Sequence, residues 1–213
     1  KDRKYKLTYF DTQWRCEPIR LIFHYFDVPF EDERISGEEW EKRKKDAPFE
    51  QLPLLELDDG KKVIGETLAI MRFLAKALGD GFIGKTKTDS AKVDMFVYAA
   101  NDLYLPIYFY RAAKGGNLGF GTLENTKAMF DVSSQRFLRC CEKALKSHGQ
   151  KYMVQYITWC DILVMYMLFM LESMDEGIFT DESHPVLFKY YVRMREEPTI
   201  KDYVEANLPS KII

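Results

Sequence analysis

EQLPLLELDDGKKVIGETLAIMRFLAKALG, residues 50–79, contains a proline, Pro53, directly before the strand-like run 54–57. Proline cannot donate a hydrogen bond to a sheet ladder, so within sheets it is confined to edges, strand starts and bulges. Residues 58–60, Asp-Asp-Gly, are typical of a hairpin turn, and residues 61–64 are predicted to form the return strand. The segment therefore predicts a short hairpin whose first strand begins at a proline.

An amphipathic helix is predicted to follow this hairpin, starting at Glu66 and Thr67. Backbone groups before Pro53 would then point in the same direction as the N–H groups of a helix N-terminus, which suits a ligand that is itself a peptide. From the residues alone a trans bond before Pro53 is favoured, because only about 5–6% of X-Pro bonds in folded proteins are cis.

The composition is that of a globular chain with no strong charge. Its 213 residues are 46% hydrophobic and carry a net charge of −2, enough for one large domain or two modest ones. The densest basic cluster, residues 42–45, follows three glutamates and is interpreted as a solvated helix face. The longest apolar run, residues 162–171, is shorter than the roughly 20 residues of a membrane span. We expect a soluble cytoplasmic protein that binds neither nucleic acid nor membrane.

The four cysteines show no metal-binding or disulfide pattern. They are Cys16, Cys140, Cys141 and Cys160, and no two form a CxxC pair. With only three histidines in the chain, a zinc cluster has no support. We interpret the cysteines as reduced thiols packed like small apolar residues, and we predict no metal site.

The secondary-structure pattern changes near residue 81. Before it, a strand at 5–11, a helix from Glu17-Pro18, a strand at 30–34 and a capped helix from Ser36 precede the hairpin and its helix, giving β-α-β followed by β-β-α. After it, the pattern is almost entirely helical: 90–113 with a bend at Pro106, 123–147, 159–174 and 185–196. The fold class is therefore an α/β domain, 1–81, followed by an all-helical domain, 82–213.

Several stretches together resemble the cytosolic glutathione transferases, most closely the sigma class and its invertebrate relatives. They are YKLTYFD, EPIRLIFHY, VPFEDERIS, PFEQLPLLELD, LAIMRFLA and, far downstream, ITWCD. The resemblance covers nearly the whole chain. It implies a thioredoxin-like N-terminal domain that binds glutathione as co-substrate, a helical C-terminal domain that shapes a pocket for hydrophobic electrophiles, and a homodimer.

The resemblance also implies the catalytic groups. Tyr9, near the end of the first strand, would donate its hydroxyl proton to the glutathione thiolate, and Arg15 matches a pocket arginine. In this family the proline is cis, and the backbone of the preceding residue faces the ligand. Here that residue is Leu52, before Pro53, and its N–H and C=O would pair with the cysteine of glutathione.

Further positions match the residues that hold the rest of glutathione. Glu66 and Thr67 stand where the γ-glutamyl end is bound, and Asp102 matches an aspartate that reaches the ligand from the neighbouring subunit. The positions that hold the glycyl end are matched by Trp40, Lys44 and Gln51. Tyr104, Tyr108 and Phe109 are candidates for the electrophile side, although helix-face packing explains them equally well.

Several residues depart from the family pattern. Trp14 and Glu50 replace glycines, and a non-glycine residue removes a permissive backbone position. Trp14 would narrow the pocket, form a new aromatic wall or obstruct glutathione. Cys16 replaces a small apolar residue and would either pack or form a mixed disulfide with glutathione. Glu66 replaces a glutamine, which adds an acceptor for the ligand's ammonium but repels its carboxylate.

Three functions are compatible with these residues. The leading one is a glutathione S-transferase that conjugates the thiolate to hydrophobic electrophiles. The second is a glutathione-dependent isomerase or peroxidase acting on lipid substrates of the prostaglandin type. The third is a non-catalytic protein that kept the fold for ligand binding or structure, and Trp14 and Glu66 are the residues that favour it.

Overall fold

The computed structural model describes residues 3–58, 60–147, 149 and 151–210. Asp59, in the predicted hairpin turn, lies outside these residues. The chain divides into two compact units, Lys1–Ile83 and Gly84–Ile213.

The first unit is built on a mixed sheet. In its described part the sheet has four strands, ordered β2-β1-β3-β4. Their bounds are β1 Tyr5–Phe10, β2 Glu31–Ile35, β3 Leu54–Leu57 and β4 Lys62–Gly65. Strand β1 runs parallel to β2 and antiparallel to β3, which in turn runs antiparallel to β4. This is the predicted β-α-β and β-β-α arrangement.

Local sequence signals start the helices of this unit. Their bounds are α1 Glu17–Tyr25, α2 Gly37–Arg43 and α3 Thr67–Leu78. Pro18 lies in the first turn of α1, where its missing N–H costs no intrahelical bond. The Ser36 hydroxyl accepts from the Glu39 N–H while the Glu39 carboxylate accepts from the Ser36 N–H, which forms the predicted capping box.

A buried cation ties α1 to β2. Arg20 is 1% exposed, and its Nη1 lies 3.0 Å from a carboxylate oxygen of Glu17, itself 1% exposed. Its Nε donates to both oxygens of Asp32 at 3.1 Å, and Nη1 also donates to the Thr12 carbonyl at 3.0 Å. The guanidinium therefore joins helix, strand and the loop that follows β1.

The second unit is helical throughout its regular elements. Their bounds are α4 Lys87–Asn101, α5 Tyr104–Lys114, α6 Leu123–Ser147, α7 Trp159–Met174, α8 Pro185–Arg195 and α9 Lys201–Asn207. Helix α7 has the bounds of the predicted helix 159–174 and is buried along almost its whole length, including the apolar run at 162–171. Within the described residues, no helix is both long and apolar enough to cross a membrane.

Two sequence predictions for this unit were incomplete or wrong. We expected one helix over 90–113, bent at Pro106, but the break lies at 102–103 between α4 and α5. Pro106 falls in the first turn of α5, where a backbone N–H has no intrahelical acceptor, so the proline bends nothing. Helix α9 was not predicted, because its seven residues give too short a periodic pattern.

The sequence Thr-x-x-Asp begins both α4 and α7, at 86–89 and 158–161, and at α7 it is buried. Asp161 is fully buried and accepts from the N–H of Thr158 at 2.8 Å, from the N–H of Met153 at 3.0 Å and from the Tyr190 hydroxyl at 3.1 Å. Burial raises the pKa of Asp161 to about 6. One carboxylate thus caps the helix and holds two neighbouring segments.

Replacing this aspartate should destabilise the fold strongly. Asp161→Ala removes a helix cap, worth about 1 kcal/mol, and leaves buried donors without an acceptor, at about 1–3 kcal/mol each. We expect a loss of about 3 kcal/mol or more in the free energy of unfolding, measured by urea denaturation at a fixed protein concentration.

The matched control is Asp89→Ala. Asp89 occupies the same position in the sequence Thr-x-x-Asp at the start of α4, and its N–H is bonded to the Thr86 hydroxyl at 3.1 Å. Its side chain is only half-buried and accepts a hydrogen bond from the Tyr156 hydroxyl at 3.0 Å. A loss for Asp89→Ala as large as that for Asp161→Ala would show that the motif, and not its burial, carries the effect.

Candidate active site

The register of the sheet gathers the predicted site residues at one end. Thr8 of β1 lies opposite Leu54 of β3, and Leu54 lies opposite Gly65 of β4. Because β3 is antiparallel to both neighbours, the residue after Thr8, the residue before Leu54 and the residue after Gly65 lie at the same end of the sheet. Those residues are Tyr9, Pro53 and Glu66.

The peptide bond between Leu52 and Pro53 is cis, as the resemblance implies. The paired rows of β1 and β3 begin at Leu54, so the backbone of Leu52 lies beyond the ladder. Its side chain packs against a buried cluster that contains Trp40 and Leu54. Trp40 therefore supports the segment that carries Leu52.

Tyr9 is buried, with 4% of its surface exposed. Burial raises the pKa of its hydroxyl to about 12, against the opposing effect of a hydrogen bond from the Arg15 backbone. At neutral pH the phenol therefore stays protonated. A protonated hydroxyl whose oxygen already accepts from Arg15 can donate its proton to another group.

The turn between β1 and α1 has an unusual backbone. Trp14 adopts a φ of +32°, in the left-handed region that favours glycine. The N–H groups of Cys16 and Glu17 donate to the Gln13 carbonyl at 3.0 and 3.1 Å and close the turn. The hydroxyl of Thr67 donates to the Arg15 carbonyl at 3.0 Å, which ties the turn to α3.

The N-terminus of α3 lies at the same end of the sheet. Glu66 is its N-cap residue, with a φ of +69°, and its exposed side chain makes no capping bond among the described contacts. Thr67 follows and is 4% exposed. The free N–H groups of the first helical turn favour an anionic ligand.

The residues predicted for the glycyl end have different surroundings. Trp40 is 8% exposed and packs in the cluster with Leu54. The Lys44 ammonium lies 2.7 Å from a Glu41 carboxylate oxygen, so this lysine is engaged on the helix surface. Gln51 is exposed and directly precedes Leu52.

The remaining predicted residues belong to the second unit. Asp102 is exposed, directly after α4, and lines a cavity of about 320 Å³ together with Arg136 and Cys140. Tyr104 is fully buried, which favours the packing interpretation for it. Tyr108 and Phe109 contact a third ring, that of Phe120, with centroids 5.2 and 5.1 Å apart.

Phe120 was missed in the sequence because it lies in a short 3-10 turn between helices, Leu118–Phe120. Such a turn carries no periodic hydrophobic pattern. Its glycine-rich flanks, at 115–116 and 121, gave only a loop signal.

Cys16 is a buried thiol and not a reactive one. It is 0% exposed at the start of α1, and burial raises its pKa to about 12. Thiols react as thiolates, so packing is favoured over a mixed disulfide. No group of three or more potential metal ligands occurs among the described residues.

Comparison with known proteins identifies the family. Residues 15–77 match the family model for the glutathione S-transferase N-terminal domain, and residues 116–207 match that for the C-terminal domain. The chain therefore belongs to the glutathione S-transferase family. The predicted fold class and the predicted transferase function are confirmed by this membership and by the relatives below.

The similar proteins cover nearly the whole chain. Glutathione S-transferase 1 of Ascaris suum is 35% identical over 94% of this chain and 95% of the relative. The crystal structure of the glutathione S-transferase from Ascaris lumbricoides has a TM-score of 0.83, with 34% identity over 99% of this chain and 100% of that one. A transferase from Necator americanus, described as monomeric, has a TM-score of 0.83 and 31% identity over 98% and 99% of the two chains.

The cysteines give a direct test of the site's chemistry. Cys140 is exposed, whereas Cys16, Cys141 and Cys160 are buried. We expect iodoacetamide to label the native protein at Cys140 first and Cys16 only after unfolding, as read by mass spectrometry of the digested protein. Cys140→Ser, the control, should abolish rapid labelling. Rapid labelling at Cys16 would contradict the packing role and would support the alternative, a mixed disulfide with glutathione.

Proposed function

We propose that this protein conjugates the glutathione thiolate to hydrophobic electrophiles and so detoxifies them, with Tyr9 as the group that stabilises the thiolate. The observation that carries the proposal is the position of a buried, protonated Tyr9 hydroxyl at the sheet end where Pro53 and the N-terminus of α3 also lie.

One hydroxyl can supply the energy needed to ionise the glutathione thiol at neutral pH. A free thiol with a pKa of about 8.5 is only a few per cent ionised at neutral pH. Lowering that pKa by about 2 units takes roughly 2.7 kcal/mol, and a hydrogen bond to a charged group contributes about 1.5–3 kcal/mol. Because the Tyr9 phenol stays protonated at neutral pH, it can supply this bond.

The rest of the first unit is suited to hold a tripeptide. The backbone N–H and C=O of Leu52 would pair with the cysteinyl residue of glutathione. The first N–H groups of α3 would bind the γ-glutamyl carboxylate, and the exposed carboxylate of Glu66 would accept from the ammonium. For the glycyl end we propose Gln51, Trp40 and Lys44.

We further propose the domain roles and the assembly. Residues 1–81 form the thioredoxin-like glutathione-binding domain, and residues 82–213 shape the electrophile pocket. The protein is a sigma-like homodimer in which Asp102 reaches the glutathione of the neighbouring subunit. Its unpaired cysteines are in keeping with the reducing cytoplasm.

A second function is favoured by one neighbour. Prostaglandin synthase D of Nilaparvata lugens has a TM-score of 0.79 and 26% identity to this chain, over 96% of this chain and 98% of that one. A glutathione-dependent lipid isomerase or peroxidase is therefore the alternative activity, and it would use the same Tyr9 and glutathione site. A non-catalytic binder is the third candidate function, and Trp14 and Glu66 are the residues that favour it.

Removing the Tyr9 hydroxyl should expose its role. Tyr9→Phe keeps the buried ring, so folding and glutathione affinity should change little. The pKa of the bound thiol should rise by about 1–2 units, and turnover at neutral pH should fall roughly 10- to 100-fold. The thiol pKa is measured by titrating the thiolate absorbance of bound glutathione against pH. The turnover rate is measured with a chromogenic electrophile.

Tyr5→Phe is the matched control, because Tyr5 lies in the same strand, is buried and packs against Phe23 with ring centroids 5.3 Å apart. It should leave both measurements unchanged. If Arg15→Ala raises the thiol pKa more than Tyr9→Phe does, the arginine is the principal stabilising group. If Tyr9→Phe changes neither titration nor rate, the proposed function is wrong.

The proposed dimer has its own measurement. Static light scattering at micromolar concentration should give a mass near twice the 25.1 kDa of one chain, with an interface of standard size or larger. Asp102→Ala should then weaken glutathione binding while leaving the mass unchanged. A monomer that binds glutathione normally would refute the proposed cross-subunit contact.

A further inference from the structure

Three aromatic rings of the second unit form a cluster between α5 and the turn that follows it. The Phe120 ring lies nearly parallel to the Phe109 ring, at an interplanar angle of 15° with centroids 5.1 Å apart. It meets the Tyr108 ring at 67°, with centroids 5.2 Å apart. These are the stacked and edge-to-face arrangements that aromatic pairs prefer. One face of Phe109 is therefore covered by a phenyl ring of the same chain.

The covering ring is only partly removed from water. Phe120 is 45% exposed, and Tyr108 is 42% exposed. An aromatic side chain is held in place chiefly by the apolar area that it removes from water, so a ring with this exposure is held weakly. Its contact with Phe109 can therefore be exchanged for a contact with another aromatic group.

The turn that carries Phe120 is closed on itself. The Gly119 N–H donates to the side-chain oxygen of Asn117 at 3.1 Å, and the Gly121 N–H donates to the Leu118 carbonyl at 3.1 Å. Both bonds lie within residues 117–121, so they hold the 3-10 turn together without attaching it to a helix. The turn is thus suited to move as one piece.

A glycine lies on each side of this turn. Gly116 has a φ of +86° and Gly121 a φ of +126°, which is the region that favours glycine. Among the described residues, no atom lies within 4 Å of the place where a Cβ on Gly116 would stand. Because a glycine backbone changes conformation with little steric hindrance, the two positions can serve as hinges for the ring between them.

We propose that Phe120 is a displaceable cover of the electrophile side, and that a planar aromatic electrophile takes its place on Phe109. This inference rests on the proposed function, because it selects the class of electrophile within the pocket proposed above. The Phe109 face accepts a phenyl ring in a nearly parallel stack, so a compound that replaces Phe120 there has to be flat and aromatic. A flexible aliphatic electrophile does not reproduce this stack.

The cover acts as an internal competitor. A ligand's apparent affinity is lowered by the fraction of molecules in which its site is open. A stacked aromatic pair corresponds to a factor of roughly 2 to 10 in an equilibrium constant. Removing the Phe120 ring should therefore strengthen the binding of a planar aromatic compound by about this factor.

The test is Phe120→Ala, with Leu118→Ala as the matched control. Leu118 lies in the same turn and is 58% exposed, but it carries no ring. The probe is aminoanthracene, a planar fluorescent molecule whose binding needs no turnover. We expect Phe120→Ala to lower its dissociation constant roughly 2- to 10-fold, as measured by fluorescence titration, and Leu118→Ala to leave it unchanged.

Steady-state kinetics should separate two classes of electrophile. For Phe120→Ala, the KM for chlorodinitrobenzene, a planar aromatic electrophile, should fall by roughly the same factor of 2 to 10. The KM for hexenal, a flexible aliphatic electrophile, and the KM for glutathione should not change. An equal fall in the KM for hexenal would show that Phe120 only obstructs the pocket and selects no class.

A substitution at Phe109 tests where the probe stacks. Leucine keeps the apolar bulk of Phe109 but has no flat face. In a Phe109→Leu background, Phe120→Ala should change the aminoanthracene dissociation constant less than about twofold, which a double-mutant cycle measures. Equal effects in both backgrounds would refute the competition for the Phe109 face.

Other outcomes separate this inference from the proposed function. An unchanged or higher aminoanthracene dissociation constant in Phe120→Ala, or no saturable binding to either protein, shows that the inference is wrong, whatever Tyr9→Phe does. If Tyr9→Phe changes neither the thiol pKa nor the rate, the proposed function is wrong. Tighter binding of aminoanthracene to Phe120→Ala would still support the cover in that case, because this measurement needs no thiolate.

Discussion

The pairing of β3 with its two neighbours is the constraint on which the site depends. One row of the sheet runs from Thr8 through Leu54 to Gly65. Because side chains alternate between the faces of a strand, a slip of one residue would move each of them to the opposite face. In the observed register Leu55 and Leu57 are buried on one face of β3 and Leu54 packs in the cluster with Trp40 on the other, so packing on both faces selects this register. The same register fixes the position of Tyr9 along β1 relative to Pro53.

Arg20 extends that constraint to the loop after β1. A buried ion pair is a poor source of net stability, because desolvation offsets much of the attraction, but breaking one is costly. Here the guanidinium bonds a helix carboxylate, Glu17, a strand carboxylate, Asp32, and the Thr12 carbonyl. We infer that its main contribution is geometric, since it sets where the chain leaves β1 and where α1 begins.

The sequence predicted the regular elements well where signals agreed. The bounds of α6 and α7 match the predicted 123–147 and 159–174 because each has a long apolar pattern, and α7 also begins with a capping box. Pro106 was misjudged because a proline looks the same in a pattern whether it lies in the first turn or the interior of a helix. The contact between Thr67 and Arg15 could not be predicted, since it joins residues 52 positions apart through rotamer and backbone geometry.

Three of the five non-glycine residues with a positive φ in the described part of the chain share one placement. Trp14, Glu50 and Glu66 all have a positive φ although none is glycine. Each directly precedes a predicted glutathione contact, namely Arg15, Gln51 and Thr67 in turn.

Strain of this kind collects at ligand sites when the surrounding scaffold over-determines the backbone. The scaffold here includes the sheet register and the buried Arg20, neither of which needs a ligand to form. Trp14 and Glu50, which stand where the resemblance implies glycines, therefore keep the backbone that the site requires. The left-handed backbone is retained at both positions, so the arrangement of the contacts is preserved. The larger side chains lower the stability of the fold instead.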